Sequence, residues 1–258
     1  MTLAQISLRR KERGILIGGT QVGKSTLSEP LRDDFLGRYR KARVHISDTK
    51  PRYRAERRVT GRGAKELYKH WDHGSPVAGS VLVNSPEDMD MAWQTGARIT
   101  ICQSRRWTPA QDACLSHFYS RGEKATPRLV IVDETIDHFY GNGMPRGTGS
   151  VIDTARSGAE QDLAALYCSQ RTRGISPQLL EFLTKAYVFT LDNVGDASRL
   201  GEFGAPVIVV RDEHKRLRAW WVPERGQPMQ FPRDKFVFHY WTKARRTRVW
   251  GPYKLHLR

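Results

Sequence analysis

The stretch GGTQVGKST, residues 18–26, follows the short apolar run 14–17 and contains the pattern G-x-x-x-x-G-K-S. The glycines of this pattern allow successive backbone N–H groups to turn inward, and the start of a following helix adds partial positive charge. The lysine can reach two phosphates, and the serine hydroxyl can ligate Mg²⁺. We therefore predict a nucleotide-phosphate site formed by Gly18, Gly19, Thr20, Gln21, Val22, Gly23, Lys24, Ser25 and Thr26.

A second motif, further along the chain, is an apolar strand that ends in adjacent acids. Residues 129–132 are Leu-Val-Ile-Val, and Asp133 and Glu134 follow them. In this arrangement the aspartate supports Mg²⁺, and the neighbouring glutamate can polarise an attacking water. An acid next to the metal-supporting aspartate favours hydrolysis over transfer of phosphate to a small acceptor.

A third motif, residues 162–177, is a strand that ends in a polar amide and two arginines, followed by a helix that begins at Ser176-Pro177. Ligands of α/β sheets bind at the carboxyl ends of the strands. Gln170 should therefore lie over the γ-phosphate and could sense whether that phosphate is present.

The composition indicates an ordinary soluble protein. Charged residues make up 27% of the 258 positions and hydrophobic residues 39%. No apolar run approaches the roughly 20 residues of a membrane-spanning helix, and residues 1–13 contain no segment long enough for a signal peptide. The cysteines 102, 114 and 168 form no C-x-x-C pair, so we expect reduced, buried thiols rather than a zinc site or disulfides.

Positive charge is concentrated in two segments. The chain has 43 basic and 27 acidic residues, a net charge of +16. Segment 36–70 contributes +9 and segment 231–258 contributes +7, which together are the whole excess. This distribution predicts a polyanion partner. The alternative is a solvated basic surface that serves solubility.

Short apolar runs alternate with helix signals along most of the chain. The pairs Ser85-Pro86, Thr108-Pro109 and Ser176-Pro177 each place an N-cap residue before a proline at the first helical position. The alternation predicts an α/β fold with a mostly parallel central sheet flanked by helices. Strands are predicted at 15–18, 43–47, 80–84, 98–102, 129–132, 163–169 and 187–191.

Two features depart from this alternation. Pro30 falls inside the helix expected to begin at Gly23, so we expect that helix to be shortened or bent. The runs 205–210 and 217–222 predict a β-hairpin, in which one ring of the pair Trp220-Trp221 should face the core. We therefore divide the chain into an ATPase-like core, 1–203, and a C-terminal β-hairpin with a basic arm, 204–258.

The order of the motifs resembles that of the FtsK-HerA superfamily of DNA-pumping ATPases. The matching pieces are GGTQVGKST, S-D-T-K at 47–50, LVIVDE at 129–134, Arg156, and YCSQRTRGISPQLL at 167–180. The small size is similar to that of the genome-packaging ATPases of tailless, internal-membrane phages and related archaeal viruses. The resemblance covers residues 13–203, and its most specific piece is the strand-end glutamine followed by R-x-R-G-I-S-P.

The resemblance implies a RecA-like P-loop core that forms a homo-oligomeric ring, pentamer or hexamer, with ATP and Mg²⁺ at subunit interfaces and double-stranded DNA in the central channel. A viral capsid vertex or membrane protein is a further implied partner. The implied location is the host cytoplasm or the packaging vertex of the virion.

Roles for individual residues also come from the resemblance. Lys24 and Ser25 would hold phosphates and Mg²⁺, Asp133 would support the metal, Glu134 would activate water, and Gln170 would sense the γ-phosphate. Arg156 matches the arginine finger that acts on a neighbouring subunit. The alternative fingers are Arg146, Arg171 and Arg173.

Three segments are candidates for DNA contact: residues 50–65, the glycine-rich loop 137–150 and the C-terminal tail. Their candidate side chains are Arg52, Arg54, Arg57, Arg58, Arg62, Arg146, Lys243, Arg245, Arg246 and Arg248. The loop could move DNA as the nucleotide state changes, or it could be a loose surface connection. Alternatively, Trp241, Trp250 and Tyr253 in the tail could stack on single-stranded bases.

The function that these patterns favour is an ATP-driven double-stranded DNA translocase that packages a viral genome. A filamentous-phage assembly ATPase shares the motifs but normally brings a membrane anchor, for which this sequence has no apolar segment. A nucleotide-switched DNA-binding or partitioning module would use ATP to hold an assembly together without pumping DNA.

Overall fold

The computed structural model describes residues 6–49, 53–58, 75–121, 126–140, 143–156, 160–191, 193–212, 214–222, 227–245 and 249–255, with backbone alone for 53–58, 75–76 and 245. Thirteen strands are present in these ranges. They are β1 (Arg13–Ile17), β2 (Arg43–Asp48), β3 (Tyr53–Arg58), β4 (Ser75–Leu82), β5 (Ile99–Gln103), β6 (Arg128–Asp133), β7 (Leu163–Ser169), β8 (Lys185–Val188), β9 (Val207–Arg211), β10 (Leu217–Trp221), β11 (Met229–Gln230), β12 (Val237–Thr242) and β13 (Val249–Lys254).

Six α-helices connect the strands in the described residues: α1 (Lys24–Arg38), α2 (Pro86–Gln94), α3 (Pro109–Ser120), α4 (Ser150–Arg156), α5 (Pro177–Glu181) and α6 (Val194–Glu202). The predicted proline starts of α2, α3 and α5 are confirmed. Ser85 accepts a hydrogen bond from Asp88 N–H, and Thr108 forms a capping box with Gln111. None of the described helices is long and apolar enough to cross a membrane.

The central sheet has ten strands in the order β13-β12-β8-β1-β7-β6-β2-β5-β4-β3. The eight strands from β8 to β3 are parallel to one another. Strand β12 is antiparallel to β8, and β13 is antiparallel to β12 and therefore runs in the same direction as the eight. The predicted α/β architecture with a mostly parallel sheet is therefore confirmed. Every residue of β1, β6, β7 and β8 is buried, because helices cover both faces of the sheet.

The sheet separates two hydrophobic cores. Helix α1 packs on one face through Leu27, Leu31 and Phe35, and helices α2 to α6 pack on the other. Alternate residues of β1 point to opposite cores, with Leu16 on the α1 side and Ile17 on the other. The three cysteines are buried, as predicted.

Pro30 does not shorten α1, so the expectation of a shortened helix was wrong. The helix continues for 15 residues with Pro30 inside it. Proline removes one backbone hydrogen bond, but Leu27, Leu31 and Phe35 are all buried against the sheet. Because tertiary packing supplies most of the stability of a helix in a protein, the helix persists through the proline.

The C-terminal region is joined to the central sheet. The predicted hairpin is present as β9 and β10, which form a three-stranded sheet with β11. Trp221 is fully buried and Trp220 is partly buried, which confirms the expected packing of this pair. Strand β12, however, pairs with β8, so the boundary after residue 203 separates two stretches of sequence that share one sheet.

The loop before α4 is fixed to α3 by one buried carboxylate. The Oδ2 atom of Asp112 accepts hydrogen bonds from Thr148 N–H and Oγ1–H, each at 2.7 Å, and its Oδ1 accepts one from Ser150 N–H at 3.3 Å. Gly147 has a φ of +62°, and a Cβ there would lie 2.5 Å from Asp112 Oδ2. The close approach of the loop to α3 therefore requires glycine at this position.

We expect Asp112→Ala to lower the free energy of unfolding by about 2–4 kcal/mol, because three donors lose a buried acceptor. Urea denaturation of the full chain measures the change. The control is Asp153→Ala on α4, which removes an ion pair with the exposed Arg156 and should cost less than about 0.5 kcal/mol. Equal losses in the two variants would show that Asp112 does not hold the loop.

Candidate functional site

The glycine-rich turn links the end of β1 to the start of α1, as the sequence predicts. Lys24 is buried, and its Nζ donates to the carbonyl oxygens of Gly18 and Gly19, each at 2.6 Å. The ammonium group is therefore held inside the turn. Residues 20–26 line a cavity of about 510 Å³ together with Lys235 and Phe236 from the C-terminal region.

The acidic pair lies at the end of β6, two strands away from β1. Asp133 is the last residue of the strand and Glu134 follows it, and both are buried. Glu134 has left-handed backbone torsions, φ 51° and ψ 59°. This conformation costs a non-glycine residue on the order of 1–2 kcal/mol. Strained torsions of this kind persist where the surroundings hold the residue in place.

Hydrogen bonds from Gln170 hold Glu134 in place. Gln170 follows β7, the strand between β1 and β6. Its side-chain Nε2 donates to Glu134 Oε2 at 2.9 Å, and its backbone N–H donates to Glu134 Oε1 at 3.2 Å. Both carboxylate oxygens of Glu134 are therefore bound by one residue.

The same strand end contacts the glycine-rich turn. The backbone N–H of Gly18 donates to the carbonyl of Ser169 at 3.2 Å. A short path of hydrogen bonds therefore runs from the turn through Ser169 and Gln170 to Glu134. Gly19 N–H donates to Thr190 O at 3.0 Å, which fixes the other side of the turn to the segment after β8.

Sequence reasoning assigned no role to Asp48, which lies beside the acidic pair. Asp48 ends β2 and is in register with Asp133 on the neighbouring β6. Its Oδ2 accepts a hydrogen bond from Gln103 Nε2 at 3.0 Å, and its carbonyl accepts one from Gln111 Nε2 at 3.0 Å. The S-D-T-K motif marks Asp48 in the sequence. That Asp48 lies next to Asp133, however, follows from the order of the strands in the sheet, which the motif does not contain.

The donor set at this edge of the sheet fits Mg²⁺. The hydroxyl of Ser25 and the carboxylate of Asp133 supply oxygen ligands, which a hard divalent cation prefers. Within the described residues, no group of three or more His, Cys, Asp and Glu side chains could hold a metal ion by itself. Mg²⁺ bound through one or two protein oxygens takes its remaining ligands from phosphate and water.

The four candidate arginine fingers lie on two parts of the surface. Arg156 ends α4 and forms an exposed ion pair with Asp153, with 2.9 Å between Nη2 and Oδ1. Arg146, Arg171 and Arg173 instead line one cavity of about 330 Å³, close to the acidic pair. The guanidinium of Arg146 lies over the ring of Tyr140, 4.5 Å from its centroid.

Most of the candidate DNA contacts lie outside the residues whose side chains are described. They are Arg52, Arg54, Arg57, Arg58, Arg62, Arg245, Arg246 and Arg248. Of the other two, Arg146 lines the cavity above, and Lys243 Nζ donates to the carbonyl of Glu181 at 2.8 Å.

Base stacking by the aromatic residues of the tail is contradicted for Trp241. Trp241 is 3% exposed and packs in the hydrophobic core, because β12 belongs to the central sheet. Trp250 packs against Tyr240 with ring centroids 5.4 Å apart, and Tyr253 packs against Phe238 at 5.5 Å.

A buried histidine lies beneath the acidic pair. His138 follows Glu134 in a 3₁₀ turn, and its Nε2 is 3.4 Å from the hydroxyl of Ser47 on β2. Burial lowers the pKa of His138 to about 4; the nearby Arg146 acts in the same direction, while Asp112 opposes it. His138 is therefore neutral at physiological pH.

No protein-family model and no curated protein match the sequence. Solved structures do match the fold. The genome packaging NTPase B204 from Sulfolobus turreted icosahedral virus 2 in complex with ATP-gammaS has a TM-score of 0.59 and 13% identity, with 95% of this chain and 100% of that chain covered. Its complex with AMP has a TM-score of 0.57 and 12% identity, with coverages of 96% and 100%.

The DNA-packaging ATPase B204 from Sulfolobus Turreted Icosahedral Virus has a TM-score of 0.50 and 12% identity, with 82% of this chain and 98% of that chain covered. These matches establish that the chain has a RecA-like P-loop NTPase fold. The predicted resemblance to packaging ATPases of archaeal viruses is thus confirmed at the level of the fold.

We expect His138 to make the protein less stable in acid. Its pKa in the folded chain, about 4, is below the value of about 6.5 in an unfolded chain. Its contribution is therefore fully present above about pH 6.5 and decreases by about 3 kcal/mol as the pH falls toward 4. The free energies of unfolding of wild type and His138→Gln, compared between pH 7 and 4, should show this difference.

The control is His214→Gln, on the exposed tip of the β9–β10 hairpin, which should retain the pH dependence of the wild type. The other buried histidines, His45 and His239, also have lowered pKa values, about 3 and about 4, and contribute equally to all three proteins. A pH dependence that does not change in His138→Gln would contradict the assignment.

Proposed function

We propose that this chain is an ATP-driven double-stranded DNA translocase that packages a viral genome. The observation that carries the proposal is the clamp of Gln170 on Glu134, at a strand end that is also bonded to Gly18 of the glycine-rich turn. Two consecutive residues, Ser169 and Gln170, thereby join the phosphate-binding turn to the group that would activate water. A protein that binds nucleotide without hydrolysing it has no need of this connection.

We assign a catalytic role to each residue of the site. Residues 18–26 would hold the phosphates through the amide groups of the turn and through the ammonium of Lys24, which exchanges the carbonyl oxygens of Gly18 and Gly19 for phosphate oxygens when a nucleotide binds. Ser25 and Asp133 would hold Mg²⁺, which would supply positive charge to neutralise the phosphates. Glu134 acts as the general base for the attacking water.

Gln170 makes hydrolysis depend on the γ-phosphate. In the structure its amide group binds Oε2 of Glu134. An amide that turns toward a γ-phosphate oxygen releases this carboxylate oxygen, which can then accept a proton from water. Gln170 is thus the sensor of the γ-phosphate. Until that phosphate binds, the amide group of Gln170 stays hydrogen-bonded to the carboxylate of Glu134.

The cavity lined by Arg146, Arg171 and Arg173 supports contact with DNA near the hydrolysis site. Arg171 directly follows Gln170 in the chain, and Arg146 lies on the loop that follows the acidic pair. A phosphate of the DNA backbone that binds Arg171 would therefore act on the residue next to the sensor. Backbone contacts suffice for a motor that is indifferent to base sequence.

The assembly that we propose is a homo-oligomeric ring, pentamer or hexamer, at the packaging vertex of a virion or in the host cytoplasm. A capsid or membrane protein at the vertex would anchor it. The exposed position of Arg156 at the end of α4 supports its role as a finger that reaches the nucleotide of a neighbouring subunit.

Hydrolysis measured with and without duplex DNA tests the function. We expect DNA to raise the turnover of the full chain and the stimulation to weaken with increasing salt, because backbone contacts release counterions. Glu134→Gln should still bind ATP but should turn over about 100-fold or more slowly, as expected for loss of a general base. The control is Glu202→Gln on α6, an exposed residue paired with Arg199, which should retain wild-type turnover.

Two outcomes would contradict the proposal. Turnover that DNA does not change at low salt would favour the nucleotide-switched module, in which ATP only holds an assembly together. Full turnover in Glu134→Gln would remove Glu134 from the mechanism.

Mixing two inactive variants tests the arginine finger. Arg156→Ala should reduce turnover about 10³-fold or more, the range of known fingers. Subunits that carry Arg156→Ala, mixed with subunits that carry Glu134→Gln, should regain part of the activity, because some interfaces then combine an intact Glu134 with an intact Arg156. Recovery with Arg146→Ala, Arg171→Ala or Arg173→Ala in place of Arg156→Ala would transfer the role to that residue.

A further inference from the structure

The segment before β12 lies directly on the glycine-rich turn. The backbone N–H of Phe236 donates to the carbonyl of Val22 at 2.9 Å, and the N–H of Leu255 donates to the carbonyl of Phe236 at 2.7 Å. A Cβ placed on Gly23 would be 2.8 Å from Phe236 Cδ1. The ring of Phe236 therefore contacts the turn at the residue that precedes Lys24.

This contact makes glycine necessary at position 23 for two reasons. Its φ of +107° is disfavoured for residues with a side chain, and the space that a side chain would need is taken by the ring of Phe236 and the end of Leu255. Phe236 itself has a φ of +60°. A strained backbone at a bulky residue points to a constraint that the surrounding structure enforces.

Phe236 also faces the nucleotide cavity. The cavity of about 510 Å³ is of a size that holds small ligands and cofactors. Residues 20–26 form its phosphate-binding end, and the described lining residues outside the turn are Lys235 and Phe236. The ribose and base of a nucleotide extend beyond the phosphates, and Phe236 offers the aromatic surface among these lining residues.

We propose that Phe236 binds the nucleobase by stacking, so that the C-terminal region completes the nucleotide site of the proposed ATPase. The inference rests on nucleotide binding at residues 18–26. The backbone N–H of Phe236 is committed to Val22, and stacking reads the face of a base rather than its edge. Phe236 therefore favours the presence of a base without selecting between adenine and guanine.

The affinities of the full chain for three probes in the presence of Mg²⁺ test this proposal. The probes are ATP, GTP and inorganic tripolyphosphate, measured by titration calorimetry. Phe236→Leu should weaken ATP and GTP binding by about 10-fold, the lower part of the range for loss of base stacking, and should change tripolyphosphate binding less than twofold. Phe236→Tyr keeps the ring and should bind all three probes as the wild type does.

The matched control is Leu255→Ala. Leu255 also contacts Gly23, but it is not among the lining residues of the cavity, so the ratio of ATP to tripolyphosphate affinity should not change. If Phe236→Leu weakens ATP and tripolyphosphate equally, Phe236 acts by shaping the turn and the base contact is excluded. Unchanged ATP affinity in Phe236→Leu would also overturn the proposal.

A measurement on the unaltered protein does not depend on the folding of any variant. ATP should bind at least 10-fold more tightly than ribose 5-triphosphate, which lacks the base. Equal affinities of these two compounds would overturn the base contact alone. If neither these compounds nor tripolyphosphate binds, the proposed ATPase function fails together with it, and DNA stimulation of turnover tests that function separately.

Discussion

The position of β7 between β1 and β6 is the constraint on which the site depends. Its register with β1 pairs Ser169 with Ile17, and its register with β6 pairs Tyr167 with Val132. Through these pairings one strand end is bonded both to the glycine-rich turn and, through Gln170, to Glu134. A slip of one residue would point the side chains of β7 to the opposite face and would separate Gln170 from Glu134.

The same strand order gathers buried carboxylates at one edge of the sheet. Asp48 and Asp133 end neighbouring strands, and Glu134 follows immediately. Burying like charges is costly unless hydrogen bonds and opposite charge compensate for it. Amide side chains supply part of this compensation, since Gln103 binds Asp48 and Gln170 binds Glu134. Positive charge that arrives with a nucleotide, as Mg²⁺ does, would supply more, so the electrostatics of the edge agree with the proposed function.

The sequence predicted the parts of this site that depend on local patterns. The bounds of β7, the starts of α2 and α3, and the positions of the turn and acidic pair follow from apolar runs, caps and motif spacing. The contact of Gln170 with Glu134 and the adjacency of Asp48 to Asp133 depend on strand order, which no local pattern contains. Strand β3 was read only as a basic segment because arginines interrupt its apolar residues.

The C-terminal strands show a second reason why a sequence-based prediction can fail. The basic residues of this region predicted DNA contact, although the same region also forms part of the central sheet. Strand β12 is nearly continuous in aromatic residues, and its burial in the central sheet explains this composition without a nucleic acid. Two lysines of the same region make contacts within the protein. Lys243 donates a hydrogen bond to the carbonyl of Glu181, and Lys235 lines the cavity beside the glycine-rich turn. The fold therefore already accounts for part of the positive charge of segment 231–258. The inference of a polyanion partner from net charge accordingly rests more on segment 36–70 and on the arginines beside the acidic pair than on the C-terminal tail.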